Sequence, residues 1–161
     1  GCSRSNRERL RTRRRPGEVM TDQTLPAGLQ TIRDDFLALG QSDRLQLLLE
    51  FSDDLPDPPE GLVPEDAWER VPECQSPVFI HVATDQTPPV VNASAPAEAP
   101  TTRGFASILV TGCQGASREE ILGIPLDFPQ SLGLEEAVSL LRLRGMAGMI
   151  WRIQRQLTDA A

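Results

Sequence analysis

Lysine is absent from this chain: all 16 basic residues are arginine, which closes off Schiff-base lysine chemistry. A single histidine, His81, offers little to a metal site. Only three cysteines occur, Cys2, Cys74 and Cys113. An odd, widely spaced set makes neither a disulfide framework nor the paired knuckles of a zinc site. A reducing, cytoplasmic compartment suits such thiols. No apolar run reaches the roughly 18 residues of a membrane-spanning helix, so no membrane segment is predicted. No glycine-rich phosphate loop follows the predicted strand, which disfavours nucleotide binding. No internal repeat is found.

The 161 residues suffice for one ordinary domain. A chain of that size buries ~68–70% of its unfolded surface and needs no covalent or metal staple. Charge is unevenly placed. Residues 1–19 hold seven Arg against two Glu, a net of +5, so the other 142 residues carry −12 of the overall −7. An acidic body argues against a nucleic-acid groove. The Arg-rich start lacks apolar periodicity and is expected to be a disordered extension. Met20-Thr-Asp-Gln reads as an ordinary bacterial start, so residues 1–19 are expected to lie upstream of the true one. A nucleic-acid-binding arm is the alternative. Residues 20–161 are expected to form a single domain.

Helical spacing of Leu29, Ile32, Phe36 and Leu39, with Pro26 before and Gly40 after, predicts a helix over 26–39. A second, over about 42–52, carries Leu45, Leu48 and Leu49 on one face. The proline-rich stretch 55–64 cannot continue it. Val78, Phe79, Ile80 and Val82 predict a strand over 77–84, with a short returning strand at 90–92. Helices follow at about 101–113 and 117–122, the latter opened by the capping box Ser117-Arg-Glu-Glu120. Two more are predicted at 135–141 and 145–157, with a Met146, Met149, Ile150, Ile153, Leu157 stripe on the last. Helices, then a hairpin, then helices indicate an α+β fold with a small antiparallel sheet flanked by helices.

Cys74 is the candidate for chemistry. It stands in Arg70-Val-Pro-Glu-Cys-Gln-Ser-Pro-Val, between an irregular turn and the predicted strand. A thiol placed there is held from one side and approachable from the other. Gln75 and Ser76 carry donors for an anionic sulfur, whereas a carboxylate at Glu73 raises a thiol's pKa. Pro72 and Pro77 restrict the turn. Thiol-to-thiol sulfur transfer needs access, a thiolate fraction and protection of the persulfide, with no metal. The plain alternative is a small buried apolar residue at a strand edge. Cys113, at a helix end, reads as packing or as a resolving thiol. His81 and Trp68 read as structural, with an interface anchor as the alternative for Trp68.

The Arg-Val…Cys-Gln-Ser run resembles the signature of the SufE/CsdE family of sulfur acceptors. Thr102-Arg-Gly-Phe, Phe128-Pro-Gln-Ser-Leu-Gly-Leu134 and Arg142-Leu-Arg-Gly-Met146 are similar to three further family elements in the same order. The likeness covers about residues 26–157. Three departures stand out: Glu73 replaces the usual Gly before the Cys, Pro96-Ala-Glu98 replaces Asp-Ser-Asp, and Ser139-Leu-Leu replaces Ser-Pro-Ser. The resemblance implies an α+β, SufE-like fold with Cys74 on a loop at one end of the sheet. It implies that Cys74 takes sulfur from a cysteine desulfurase, speeds that enzyme, and passes the sulfur to an iron–sulfur assembly scaffold or another acceptor. No cofactor is implied on this chain, because pyridoxal phosphate sits on the desulfurase, and no independent turnover is implied. Gln75, Ser76, Glu98, Arg103 and Arg142 become the site-adjacent or partner-binding candidates. A desulfurase activator that carries no sulfur, and a thiol redox sensor pairing Cys74 with Cys113, are the alternatives.

Overall fold

The computed structural model describes residues 25–160; the readings of residues 1–19 lie outside the described residues. In chain order the elements are α1 (Ala27–Leu37), α2 (Gln41–Asp54), α3 (Pro64–Ala67), β1 (Glu69–Arg70), β2 (Phe79–Ala83), β3 (Val90–Ser94), α4 (Pro100–Gly112), α5 (Arg118–Leu122), a 3₁₀ turn (Phe128–Leu132) and α6 (Leu140–Asp159). The three strands form one antiparallel sheet in the order β1-β2-β3. The α+β architecture is as the segregated pattern of helices and hairpin predicts.

Alternation builds the sheet. Ile80 and Val82 on β2 pair with Ala93 and Val91 on β3, and all four are buried. α4 covers β3 and α6 covers β2. α4 is buried over most of its surface, from Thr102 to Val110 apart from half-buried Arg103, because α1 and α2 pack on its other side. An apolar helix of this kind belongs at the centre of a domain. α6 is amphipathic, burying Leu143, Met146, Ile150, Ile153 and Leu157 at helical spacing.

Two polar side chains satisfy backbone groups that the short elements leave open. β1 has only two residues, so β2 beyond Ile80 lacks a neighbour on that edge. Gln156 of α6 fills the gap: its Oε1 accepts from Val82 N at 2.8 Å and its Nε2 donates to Ile80 O at 3.1 Å. Arg103 donates to Ser52 O (2.8 Å), Ala95 O (2.6 Å) and Leu55 O (3.3 Å), tying the end of α2 to the segment after β3. Orphan carbonyls at a helix C-terminus need such partners.

Two differences from the sequence reading stand out. The helix expected at 135–141 does not form; residues 135–137 are a turn. The helix expected from Gly145 starts instead at Leu140, where Ser139 Oγ accepts from Arg142 N at 3.3 Å. A serine cap sets that start more firmly than weak apolar spacing does. β1 and α3 escaped the sequence reading because two and four residues are too short to show a period.

α2 and α4 meet at Gly104. A Cβ there would collide with Leu48 O and lie 2.9 Å from Leu48 Cδ1. Gly104→Ala should therefore lower unfolding stability by about 1–3 kcal/mol despite alanine's better helix propensity, as over-packed cores do. Urea denaturation with an unchanged m-value checks this.

Candidate functional site

The segment between β1 and β2 closes on itself. Val71 N donates to Val78 O at 2.9 Å and Cys74 N donates to Val71 O at 3.1 Å. Pro72, Glu73, Gln75 and Pro77 are exposed on this loop, while Cys74 turns inward to 7% exposure. Much of the loop therefore faces solvent while its sulfur is hidden.

Beside Cys74 lies a pocket of about 280 Å³, lined by Cys74, Gln75, Ser76, Glu98, Thr101, Leu141, Arg142 and Gly145 among others. Five of the six candidate residues thus meet around one space. Arg103 does not line it; its guanidinium is held by the three carbonyls described above. The first turn of α4 forms one wall and the first two turns of α6 another. Arg142 Nη1 donates to Thr101 Oγ1 at 3.0 Å, bracing the two helix starts against each other.

Two glycines of α6 let the loop approach the helix closely. A Cβ at Gly145 would stand 2.9 Å from Cys74 Sγ, and one at Gly148 would stand 2.9 Å from Glu73 Cδ. Interior glycines cost a helix roughly 0.5–1 kcal/mol each. Two of them three residues apart were a signal of close backbone approach that the sequence reading passed over. Arg152 was also missed; it reaches Glu73 from the next turn of α6 at 3.4 Å.

The other singled-out residues sit elsewhere. His81 stacks on Trp68 with ring centroids 5.9 Å apart. Cys113 caps the far end of α4 and is buried. At ~1.5 Å per residue, it lies roughly 18 Å along the helix from the Thr101 wall. Cys74 and Cys113 are both free thiols in this fold. Among the described residues no group of three or more His, Cys, Asp or Glu is placed to hold a metal ion, and no helix is long and apolar enough to cross a membrane.

Large apolar side chains are exposed beside the pocket. Leu140 (61%), Leu141 (49%), Leu126 (44%) and Trp151 (42%) stand out around the outer face of α6. A second hollow of about 360 Å³, lined by Glu73, Leu126, Arg144, Trp151 and Arg152, adjoins the first through Glu73.

Burial, followed by the Glu73 carboxylate, pushes the Cys74 thiol up to about 11, against a smaller lowering by Arg70. Burial alone pushes Cys113 up to about 12. Both thiols are thus protonated at neutral pH. In the folded state they ionise above the ordinary thiol value, so the stability they contribute is complete below about pH 9 and falls as pH rises towards 11. Iodoacetamide alkylation of Cys74, followed by peptide mass spectrometry, should accelerate about tenfold per pH unit from 7 to 9.5 with no plateau. A rate that levels off above pH 9 would show an ordinary exposed thiol.

The protein-family comparison matches residues 30–157 to the SufE model, described as an Fe-S metabolism associated domain. An uncharacterized SufE-like protein of Mycobacterium tuberculosis is 51% identical over 138 residues, covering 85% of this chain and 96% of that protein. SufE-like protein 1, chloroplastic/mitochondrial, of Arabidopsis thaliana is 33% identical over 87 residues, covering 54% of this chain and 23% of that protein. Among solved structures, the solution structure of a hypothetical protein from Thermus thermophilus superposes with a TM-score of 0.74 at 37% identity, covering 84% of this chain and 97% of that one. With the family model spanning most of its length, on a fold that brings the Cys-Gln-Ser run into a pocket, this chain belongs to the SufE family of Fe-S metabolism associated domains.

Proposed function

We propose that this protein is a sulfur acceptor that takes persulfide sulfur from a cysteine desulfurase onto Cys74 and hands it to an iron–sulfur assembly scaffold. The observation that carries this reading is an inward-turned thiol on an otherwise exposed loop, seated in a pocket of about 280 Å³. The Cys74 thiolate attacks the outer sulfur of the desulfurase persulfide. The S–S bond breaks, the desulfurase cysteine leaves as its thiolate, and Cys74 becomes the persulfide. Sulfur moves with no net oxidation, so no redox partner is consumed. A second thiolate, on the acceptor, removes it in the same way.

The pocket serves the cargo. A persulfide folded back among Leu141, Gly145 and the first turn of α4 is shielded from reductants and water. The same burial keeps the free thiol protonated, so docking of the desulfurase must draw Cys74 outward before it attacks. Exposed Leu140, Leu141, Leu126 and Trp151 supply an apolar rim for that docking. Arg142 and Glu98 flank the opening and offer charges to a partner. Pyridoxal phosphate belongs to the desulfurase, and this chain works in the cytoplasm without a cofactor or independent turnover. The acidic body gives no footing to nucleic acid. The disulfide-sensor alternative is disfavoured because Cys113 is buried at the end of α4 opposite the turn that lines the Cys74 pocket.

Intact-mass analysis after incubation with the cognate desulfurase and cysteine should show one added sulfur, mapped to Cys74. Cys74→Ser should abolish both that adduct and the stimulation of the desulfurase. Stimulation that survives in Cys74→Ser would mark the protein as an activator that carries no sulfur.

A further inference from the structure

Glu73 occupies the position where the resembled family usually has glycine, and its surroundings give it a task of its own. We propose that Glu73 and Arg152 form a latch that holds the Cys74 loop closed on α6, which makes Glu73 a positioning residue for the thiol. The relevance of the latch to sulfur transfer rests on the function proposed above; its existence does not.

Three features converge. First, the Glu73 side chain lies in the notch at Gly148, where an added Cβ would meet its Cδ at 2.9 Å and its Cβ and Oε1 at 3.0 Å. Cys74 fills the neighbouring notch at Gly145, so two consecutive loop residues occupy two glycine positions on one helix face. Lifting the sulfur out of its notch lifts Glu73 from the other. Second, Arg152 Nη2 lies 3.4 Å from both Glu73 carboxylate oxygens, while its Nη1 holds Glu69 Oε2 of β1 at 3.3 Å. The guanidinium is thereby anchored. Glu69 is in turn held by Arg155 and by Gln156 Nε2, the latter at 3.1 Å, so the anchor is braced on the α6 side. Third, the anchor is the drier end: side-chain exposure is 18% for Arg152 and 41% for Glu73. A half-exposed ion pair of this length is weak, which suits a contact that a docking partner has to break.

The test uses the full chain alone, without a desulfurase, so failure of the sulfur-acceptor reading leaves its result unchanged. The readouts are the iodoacetamide rate at Cys74 at pH 7.5 and hydrogen exchange of the amides of residues 71–78. Glu73→Gln and Arg152→Gln should each speed alkylation roughly two- to fivefold, the size an exposed ion pair supports. Glu73→Gln also removes a carboxylate that raises the thiol's pKa, so the double variant should exceed Arg152→Gln but match Glu73→Gln within error. Gly148→Ala removes the notch without touching a charge and favours the helix, and it should speed alkylation and exchange as well. Slower alkylation in Arg152→Gln, which loss of a nearby cation would cause by itself, would overturn the latch. Unchanged rates in Gly148→Ala, or additive effects in the double variant, would overturn it too.

Discussion

The close seating of one loop on two glycine notches is the constraint around which the protein is organised. Cys74 touches α6 where a side chain would forbid it, and that contact decides both the burial and the acidity of the thiol. In the sulfur-acceptor role proposed above, this thiol would face opposed demands. It has to ionise to attack, and it has to hide what it has gained. Burial answers the second demand and works against the first. The fold reconciles them by burying one side chain of the loop while leaving its neighbours at the surface, so that exposing the sulfur disturbs little of the core.

Rigid surroundings make such a loop useful. α4 runs through the centre of the domain with its first turn at the pocket and its last at Cys113. Its placement depends on Gly104 letting α2 approach and on Arg103 gathering carbonyls from two segments. Arg103 therefore acts at a distance from the pocket, in the frame that positions the pocket's α4 wall. Gln156 plays the corresponding part at the sheet edge, where a strand of two residues would otherwise leave backbone groups open. α6 then serves both: its inner face fills the core, and its outer face carries Trp151 and the arginines beside the loop.

Much of this was legible in the residues. The order of helices and hairpin, the capping box at Ser117, which the structure contains in full, and the apolar stripe of α6 are all local patterns with a period or a fixed offset. Cys74, Gln75 and Ser76 could be singled out because they sit at a junction between a turn and a strand. Glu98 and Arg142 came from resemblance alone, since nothing in their local sequence marks them. The start of α6 at Leu140 rather than Gly145 was missed because a glycine reads locally as a weak point, whereas here the helix carries it for the sake of the chain that crosses it.

Local chemistry, then, settled the class of fold and the acidic character of the body and singled out Cys74 as the candidate thiol, because each depends on residue type and on spacing along the chain. The depth of Cys74, the height of its pKa, the pairing of Glu73 with Arg152 and the separation of Cys113 from the pocket were decided only in three dimensions. Each of those depends on which distant segment presses against which. A glycine seventy-one residues downstream of a cysteine announces nothing until folding brings the two into contact.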